Sequence, residues 1–145
     1  MSETPDNARP LRVERVGATA AAMALITQLS AAHGPLMFHQ SGGCCDGSAP
    51  MCYPRGEFRV GDNDIYLGDI GGCPFFIGGR QFVVWQHTHL TLDVVPGRGS
   101  GFSVESPLGV RFLIRSRVFD ETEIATMQAE AAPLRGDAAL ALYPA

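Results

Sequence analysis

The segment of residues 40–56 constrains the fold of this chain more than any other, because it holds four glycines and two prolines. Proline removes a backbone hydrogen-bond donor and glycine weakens both helices and strands, so the segment predicts a long loop. Loops of this length are uncommon inside compact domains and are often functional. The loop also divides the chain, because hydrophobic residues recur at helical spacing before it and alternate with polar residues after it.

Before the loop, Thr19 is a suitable N-cap for a helix over residues 20–32. The glycine and proline at positions 34 and 35 end this helix, and residues 36–39 then predict a short strand. The hydrophobic residues on one face of the predicted helix are Ala22, Leu25, Ile26 and Leu29.

After the loop, the clearest strand is residues 87–95, where Leu90, Leu92 and Val94 alternate with polar side chains. Residues 81–86 suit either a strand or one helical turn. Asp120 with Glu123 forms the sequence of a capping box for a helix through about residue 131. The other predicted strands are residues 58–60, 64–70 and 74–77, and residues 101–106 with 110–117 as a hairpin.

This order of elements predicts an α+β fold, in which an antiparallel or mixed sheet carries an N-terminal and a C-terminal helix. A chain of 145 residues suits one domain of ordinary size. We therefore expect a flexible lead at residues 1–12, a single α+β domain at residues 13–132 and a loosely packed tail at residues 133–145.

The charged residues exclude several classes of function. The formal net charge is −4 and all 11 basic side chains are arginine, so no surface for nucleic acid or an anionic membrane is predicted. The lack of lysine excludes Schiff-base chemistry and a lysine-bearing phosphate loop. The N-terminal residues lack the pattern of a signal peptide, so we expect a cytoplasmic protein, in which thiols stay reduced.

Cysteine and histidine side chains are concentrated in and beside the loop. Cys44, Cys45 and Cys52 lie within it and His39 directly precedes it. Thiolate and imidazole ligands select zinc, iron or copper over magnesium and calcium. Apolar packing does not readily explain three thiols in a segment rich in Gly, Ser and Asp. The sequence therefore predicts a transition-metal site, with zinc or iron as the ion.

Two further histidines lie on the alternating strand. His87 and His89 are two positions apart, so both imidazoles can leave the same face of the sheet and reach a loop that packs over it. We add His87 to the predicted ligands Cys44, Cys45, Cys52 and His39. The weaker candidates are His89, Asp46 and Cys73, since Cys73 follows two glycines in a hydrophobic strand where a thiol packs as a small apolar group.

The same residues also permit a function without a metal. Adjacent cysteines such as Cys44 and Cys45 can form a strained and labile disulfide. Successive backbone N–H groups of residues 42–45 can also lower the pKa of a thiol and activate it as a nucleophile beside His39. The alternatives are a thiol-dependent redox or covalent enzyme, and a structural or interaction module whose cysteines are inert.

Five segments together resemble the bacterial domain of unknown function 779 family. They are residues 33–47, which contain Cys-Cys-Asp-Gly, and residues 50–54, 87–88, 93–99 and 111–119. The resemblance extends from Val13 to Glu123. It implies, as positions of interest, His39, Cys44, Cys45, Asp46, Cys52 and His87. The chain departs from the family pattern at Cys73, where the family usually has an apolar residue, and at His89, where it usually has glutamine.

Members of this family are typically encoded beside aldehyde dehydrogenases, which is an association and not a mechanism. The resemblance thus implies a role in alcohol or aldehyde metabolism, as an accessory to an aldehyde dehydrogenase whose catalytic thiol needs protection or maturation. For the thiol-dependent alternative, it implies an enzyme that acts on a small aldehyde or its adduct.

Overall fold

The computed structural model describes residues 13–40, 47–97 and 103–140. The strands in this part of the chain are β1 (Val16–Ala18), β2 (Leu36–Gln40), β3 (Met51–Pro54), β4 (Asp64–Ile70), β5 (Cys73–Gly78), β6 (Thr88–Pro96) and β7 (Val110–Val118). The helices are α1 (Ala20–His33), α2 (Gly79–Trp85), α3 (Glu121–Gln128) and α4 (Gly136–Leu140), with a 3₁₀ turn at Ser106–Leu108. None of these helices is long and apolar enough to cross a bilayer.

The strands form two mixed sheets, so the predicted α+β fold with a helix near each end is confirmed. The first sheet has the order β1-β6-β7, with β1 parallel to β6 and β6 antiparallel to β7. The second sheet has the order β3-β2-β5-β4, in which the central strands β2 and β5 run parallel and each edge strand runs antiparallel to its neighbour.

The main hydrophobic core joins the two sheets and α1 in one buried cluster. Phe38 of β2 stacks on Phe75 of β5 at 5.9 Å between ring centroids, and it meets Phe112 of β7 edge-on at 5.2 Å. Such aromatic pairs add packing energy beyond the burial of their area. The buried residues of α1 are Ala22, Ile26 and Leu29, on the face that the sequence predicted.

A second, smaller cluster covers the opposite face of the second sheet. Because side chains alternate along a strand, Leu36 and Phe38 of β2 enter the main core while Met37 and His39 face the smaller cluster. Its buried members are Met37, Val60, Phe76 and Ala139, and Tyr53, Phe58 and Tyr66 pack against it. The face that carries His39 is therefore also covered by protein.

Both predicted helix starts are confirmed. Thr19 Oγ1 accepts a hydrogen bond from the backbone N–H of Ala22 at 3.2 Å. Asp120 caps α3 by accepting from the N–H of Glu123 at 2.8 Å, and the Glu123 carboxylate accepts in return from the N–H of Asp120 at 2.9 Å. The ambiguous segment 81–86 is helical, since it belongs to α2 and buries Trp85.

Three local predictions are wrong. Residues 51–54, predicted as loop, form β3, since β2 pairs with one of its edges and residues 103–104 hydrogen-bond Cys52 on the other. Residues 58–60, predicted as a strand, lie outside the regular elements, with Val60 buried. The predicted hairpin is not formed, because residues 103–108 form a turn and the 3₁₀ helix while β7 pairs with β6.

The predicted tail is also more closely packed than expected. The backbone N–H of Tyr66 donates to the carbonyl of Leu134 at 2.9 Å, and Ala139 of α4 is fully buried. A Cβ atom at Gly136 would lie 2.7 Å from the carbonyl oxygen of Gly61, so only glycine allows this close approach. Residues 134–139 thus cover part of the second sheet.

Candidate functional site

Cys44, Cys45 and Asp46 lie outside the described residues, but both ends of their segment are described. Gln40, at the end of β2, is buried and pairs with Ile77 of β5. On the other side, the N–H of Gly47 donates to the carbonyl of Ile114 at 2.7 Å, and the N–H of Ile114 donates to the carbonyl of Ser48 at 2.8 Å. The cysteine segment (residues 41–46) therefore connects the second sheet to the edge of β7 in the first.

His39 lies one residue before the end of β2 and forms a close pair with an acidic side chain. Its Nε2 atom is 2.7 Å from Oδ1 of Asp64, the first residue of β4. The imidazole is almost completely buried, with 5% of its side chain exposed, and the Asp64 side chain is 16% exposed. The other carboxylate oxygen of Asp64 accepts a hydrogen bond from the N–H of Gly61 at 2.9 Å. Both oxygens of Asp64 are thus engaged, which fixes the carboxylate and orients the imidazole.

Aromatic side chains hold the flat side of the same imidazole. The ring of Phe58 lies 4.4 Å from the ring of His39, measured between centroids, and it also stacks with the ring of Tyr53 at 4.9 Å. Burial raises the pKa of the Tyr53 hydroxyl, so Tyr53 stays neutral near pH 7. His39 is therefore held by Asp64 at its edge and by Phe58 against its face.

Cys52 lies on the opposite face of the second sheet from His39, because its register partner is Phe38 and not His39. It is fully buried in the main core as a free thiol. Burial raises the pKa of this thiol far above its ordinary value, and the negative charge of Glu105 and the neighbouring Cys73 raise it further. The Cys52 side chain is consequently a protonated and unreactive thiol.

Glu105 is a buried carboxylate that the sequence did not identify, with 1% of its surface exposed. Ser103 Oγ donates a short hydrogen bond to Oε1 of Glu105 and accepts one from the N–H of Cys52 at 2.8 Å. The second oxygen, Oε2, accepts from the N–H of Phe112 at 3.4 Å. Glu105 thereby ties the turn at residues 103–105 to both β3 and β7.

Cys73 is likewise a free and buried thiol in the main core. Burial raises its pKa, which the nearby charge of Arg55 and hydrogen bonds offset only in part. Its Sγ atom lies 3.8 Å from the carbonyl oxygen of Gly71, the distance of a weak S–H donor bond. These surroundings are those of a small hydrophobic side chain, as the sequence predicted for this position.

His87 and His89 lie near α3, at the start of β6. His87 is exposed in the turn before the strand, where it lines a groove together with Phe82 and Ile124. His89 is half-buried against Phe119 and lies within 3.4 Å of Thr91 Oγ1. Burial lowers the pKa of His89 and the charge of Arg117 lowers it further, so the ring is neutral near pH 7.

The described part of the chain does not bring the predicted ligands together. It contains no group of three or more His, Cys, Asp or Glu side chains that could hold a metal ion. His39 and Cys52 occupy opposite faces of one sheet, and His87 lies at the start of a strand in the other. The feature closest to a functional site is the pair of His39 and Asp64, of which His39 lies two positions before the cysteine segment.

Sequence reasoning did not identify Asp64 as a partner of His39. Asp64 and His39 are 25 positions apart in the sequence, so no local spacing pattern links them. The alternation along β2 places His39 on the outer face, but the pairing order β2-β5-β4 is what carries Asp64 to the same face. Neither the residues of β2 nor those of β4 indicate this strand order by themselves.

A comparison with protein-family models assigns the chain to a family. A family model described as a domain of unknown function (DUF779) matches residues 25–118, well over half of the chain. The protein belongs to this family, which confirms the resemblance inferred from the sequence. The match spans β2, β3, the cysteine segment and both His39 and Asp64. The comparison with curated proteins gives no significant match.

Proposed function

We propose that the cysteine segment and His39 bind a transition metal, zinc or iron, through the thiolates of Cys44 and Cys45 and the imidazole of His39. Asp46 is the fourth candidate ligand. The observation that carries the proposal is the hydrogen bond between His39 and Asp64. Metal-binding histidines usually donate their other ring N–H to a carboxylate or carbonyl, which fixes the tautomer and raises the basicity of the ligating nitrogen.

The electrostatics of the pair agree with this role. A carboxylate that accepts from Nε2 of His39 holds the proton on that nitrogen and so selects one tautomer of the imidazole. Phe58 packs against the ring and Gly61 holds the carboxylate, so the imidazole has one orientation. Five positions separate His39 from Cys44, so the two candidate ligands are close together in the sequence.

Two cysteines do not fit the ligand set. Cys52 and Cys73 lie in the main hydrophobic core, and burial favours the protonated thiol at both positions. A metal ligand must be a thiolate, so an ion at either position would need a charge-compensated site that the apolar neighbours do not offer. We therefore restrict the thiolate ligands to Cys44 and Cys45.

A second candidate function uses the same pair without a metal. A histidine held by a carboxylate is also the arrangement that activates a nucleophilic cysteine, since the base is oriented by a third group. Cys44 or Cys45 would then be the nucleophile or redox thiol, and His39 the base. A thiol enzyme of this kind, acting on a small aldehyde or its adduct, is the alternative against which the metal proposal is tested.

The test is elemental analysis and native mass spectrometry of protein purified without added metal. We expect about one zinc or iron ion per chain, and loss of that ion in Cys44→Ser/Cys45→Ser and in His39→Gln. Cys73→Val is the matched control and should keep the ion. His87→Gln and His89→Gln test whether either histidine shares it. Metal-free wild-type protein whose Cys44 or Cys45 reacts rapidly with iodoacetamide would favour the thiol enzyme instead.

The proposed biological role is accessory to an aldehyde dehydrogenase in the cytoplasm. The support for this partner is the genomic neighbourhood typical of the family, and it does not include any contact described above. Size-exclusion chromatography of the protein with the dehydrogenase encoded beside it tests the role. Comigration that is lost in Cys44→Ser/Cys45→Ser would support it, whereas separate elution at micromolar concentrations of both proteins would contradict it.

A further inference from the structure

A groove away from His39 lies between α2, α3 and the turn that leads into β6. Its volume is about 260 Å³, close to the lower end of the range for small-ligand sites. Phe82 of α2 and Ile124 and Met127 of α3 give it an apolar lining. Arg15 and His87 provide its basic side chains. Apolar surface next to a cation is the composition expected for an amphipathic ligand.

Arg15 is held in the groove wall by two contacts. Its Nη1 atom donates to the carbonyl of Gln86 at 3.1 Å, and its guanidinium carbon lies 5.5 Å from the centre of the Phe82 ring. The carbonyl contact uses one of the five N–H donors of a guanidinium, and the stacking uses its flat face. The planar edge of the guanidinium is thus pre-organised for a bidentate acceptor such as a carboxylate.

Among the residues that the structure describes, the charge of Arg15 is only partly compensated. Burial lowers the pKa of the guanidinium, and the negative charge of Glu130 opposes this to a smaller extent. The Oε2 atom of Glu130 is engaged elsewhere, since it accepts from the N–H of Val13 at 2.8 Å. An anion in the groove would supply the missing counter-charge in a partly desolvated position, where such a pair is stronger than in water.

We propose that this groove binds a small organic anion with an apolar body, of the class of medium-chain monocarboxylates. The carboxylate contacts Arg15 and His87, and the hydrocarbon chain lies on Phe82, Ile124 and Met127. An inorganic anion would leave the apolar lining unused, and a neutral alcohol of the same length would form no ion pair with Arg15. The site is independent of metal binding at the cysteine segment.

The experiment is an NMR titration of the full chain with sodium hexanoate, with 1-hexanol and inorganic phosphate as comparison ligands. We expect saturable shifts at residues of the groove with hexanoate, and weaker binding of both comparison ligands. Arg15→Gln should raise the Kd for hexanoate about tenfold or more, since it removes a charge-assisted bidentate contact. Arg59→Gln, which removes an exposed arginine that does not line the groove, should leave the Kd unchanged.

A second variant guards against a folding defect in Arg15→Gln. Ala132 is exposed at the groove, so Ala132→Phe should fill the cavity without disturbing the core and should also raise the Kd about tenfold. Three results would overturn the proposal: no saturable shift with hexanoate, equal binding of hexanoate and 1-hexanol, or hexanoate binding that Ala132→Phe leaves unchanged.

Discussion

Nε2 of His39 and Oδ1 of Asp64 are 2.7 Å apart, although the two residues belong to strands that are not neighbours in the second sheet. Strand β5 lies between them: His39 is the register partner of Phe76, and Asp64 is the register partner of Gly78, two residues further along β5. The pair therefore depends on the whole β2-β5-β4 arrangement and on the tight turn at residues 61–64. It also lies at the end of β2 from which the cysteine segment departs.

Replacing Asp64 tests whether this pair serves a ligand. Asp64→Asn keeps the size of the side chain but removes its negative charge, so the carboxylate that orients the His39 imidazole is lost. We expect metal affinity to fall about 10- to 100-fold, and the free energy of unfolding to fall by about 1–2 kcal/mol. Metal titration and urea denaturation measure the two effects separately.

The control is Asp69→Asn, which changes an exposed aspartate of the same strand that accepts from the Tyr66 hydroxyl at 2.7 Å. It should leave metal affinity unchanged. Equal loss of affinity in both variants would mean that the total charge, and not the contact with His39, matters.

The two core thiols should be inert in the folded protein. Cys52 and Cys73 are buried and burial raises the pKa of each, so both stay protonated up to alkaline pH. We expect a thiol reagent to label them only after denaturation, as mapped by peptide mass spectrometry. Cys73→Val should cost less than about 1.5 kcal/mol of stability, because the volumes are similar. Rapid labelling of Cys52 in native protein would contradict its position in the core.

Glu105 should contribute to stability and not to ligand binding. Glu105→Ala removes the acceptor of Ser103 Oγ and of the Phe112 N–H in a buried position, and each unsatisfied donor costs about 1–3 kcal/mol. Glu57→Ala, at an exposed glutamate, should change stability by less than about 0.5 kcal/mol. Thermal unfolding compares the two variants, and a similar Tm for both would show that the buried carboxylate is dispensable.

Acid should weaken the contact between β7 and α3. Arg117 donates to both oxygens of Glu123 at 2.8 and 2.9 Å, and this hydrogen bonding lowers the pKa of Glu123 to about 2. Because the folded-state pKa lies below the unfolded value of 4.5, the contribution is complete above that value and is lost as pH falls toward about 2. Glu123→Gln should therefore make the free energy of unfolding less dependent on pH between these two values. Denaturation at several pH values measures this dependence. A pH dependence that Glu123→Gln leaves unchanged would contradict this role of the ion pair.

The parts of the fold that the sequence predicts are those decided by local residues. Thr19 and Asp120 mark the two helix starts by their capping side chains, and Leu90 and Leu92 mark β6 by alternation. Strand β3 could not be predicted, because four residues that include a proline become a strand only when β2 and residues 103–104 occupy both edges. The same holds for β1, whose three residues pair with β6, more than 70 positions away.

The sequence likewise predicts some features of the candidate site and not others. The concentration of cysteine and histidine near residue 44 is visible in the sequence, and so is the small-hydrophobe character of Cys73. The burial of Cys52 could not be predicted from the sequence, because its neighbours in the sequence are typical of a loop. Nor could the partner of His39, because strand order is set by packing of the whole sheet and not by the residues of β2 or β4 alone.

X-ray absorption at the metal edge of the loaded protein tests the central claim most directly. We predict a first shell with two sulfur atoms at about 2.3 Å and nitrogen or oxygen atoms at about 2.0–2.2 Å. The sulfur contribution should disappear in Cys44→Ser/Cys45→Ser and remain in Cys73→Val. A first shell of nitrogen and oxygen alone in the wild-type protein, or wild-type protein that takes up neither zinc nor iron, would contradict the account.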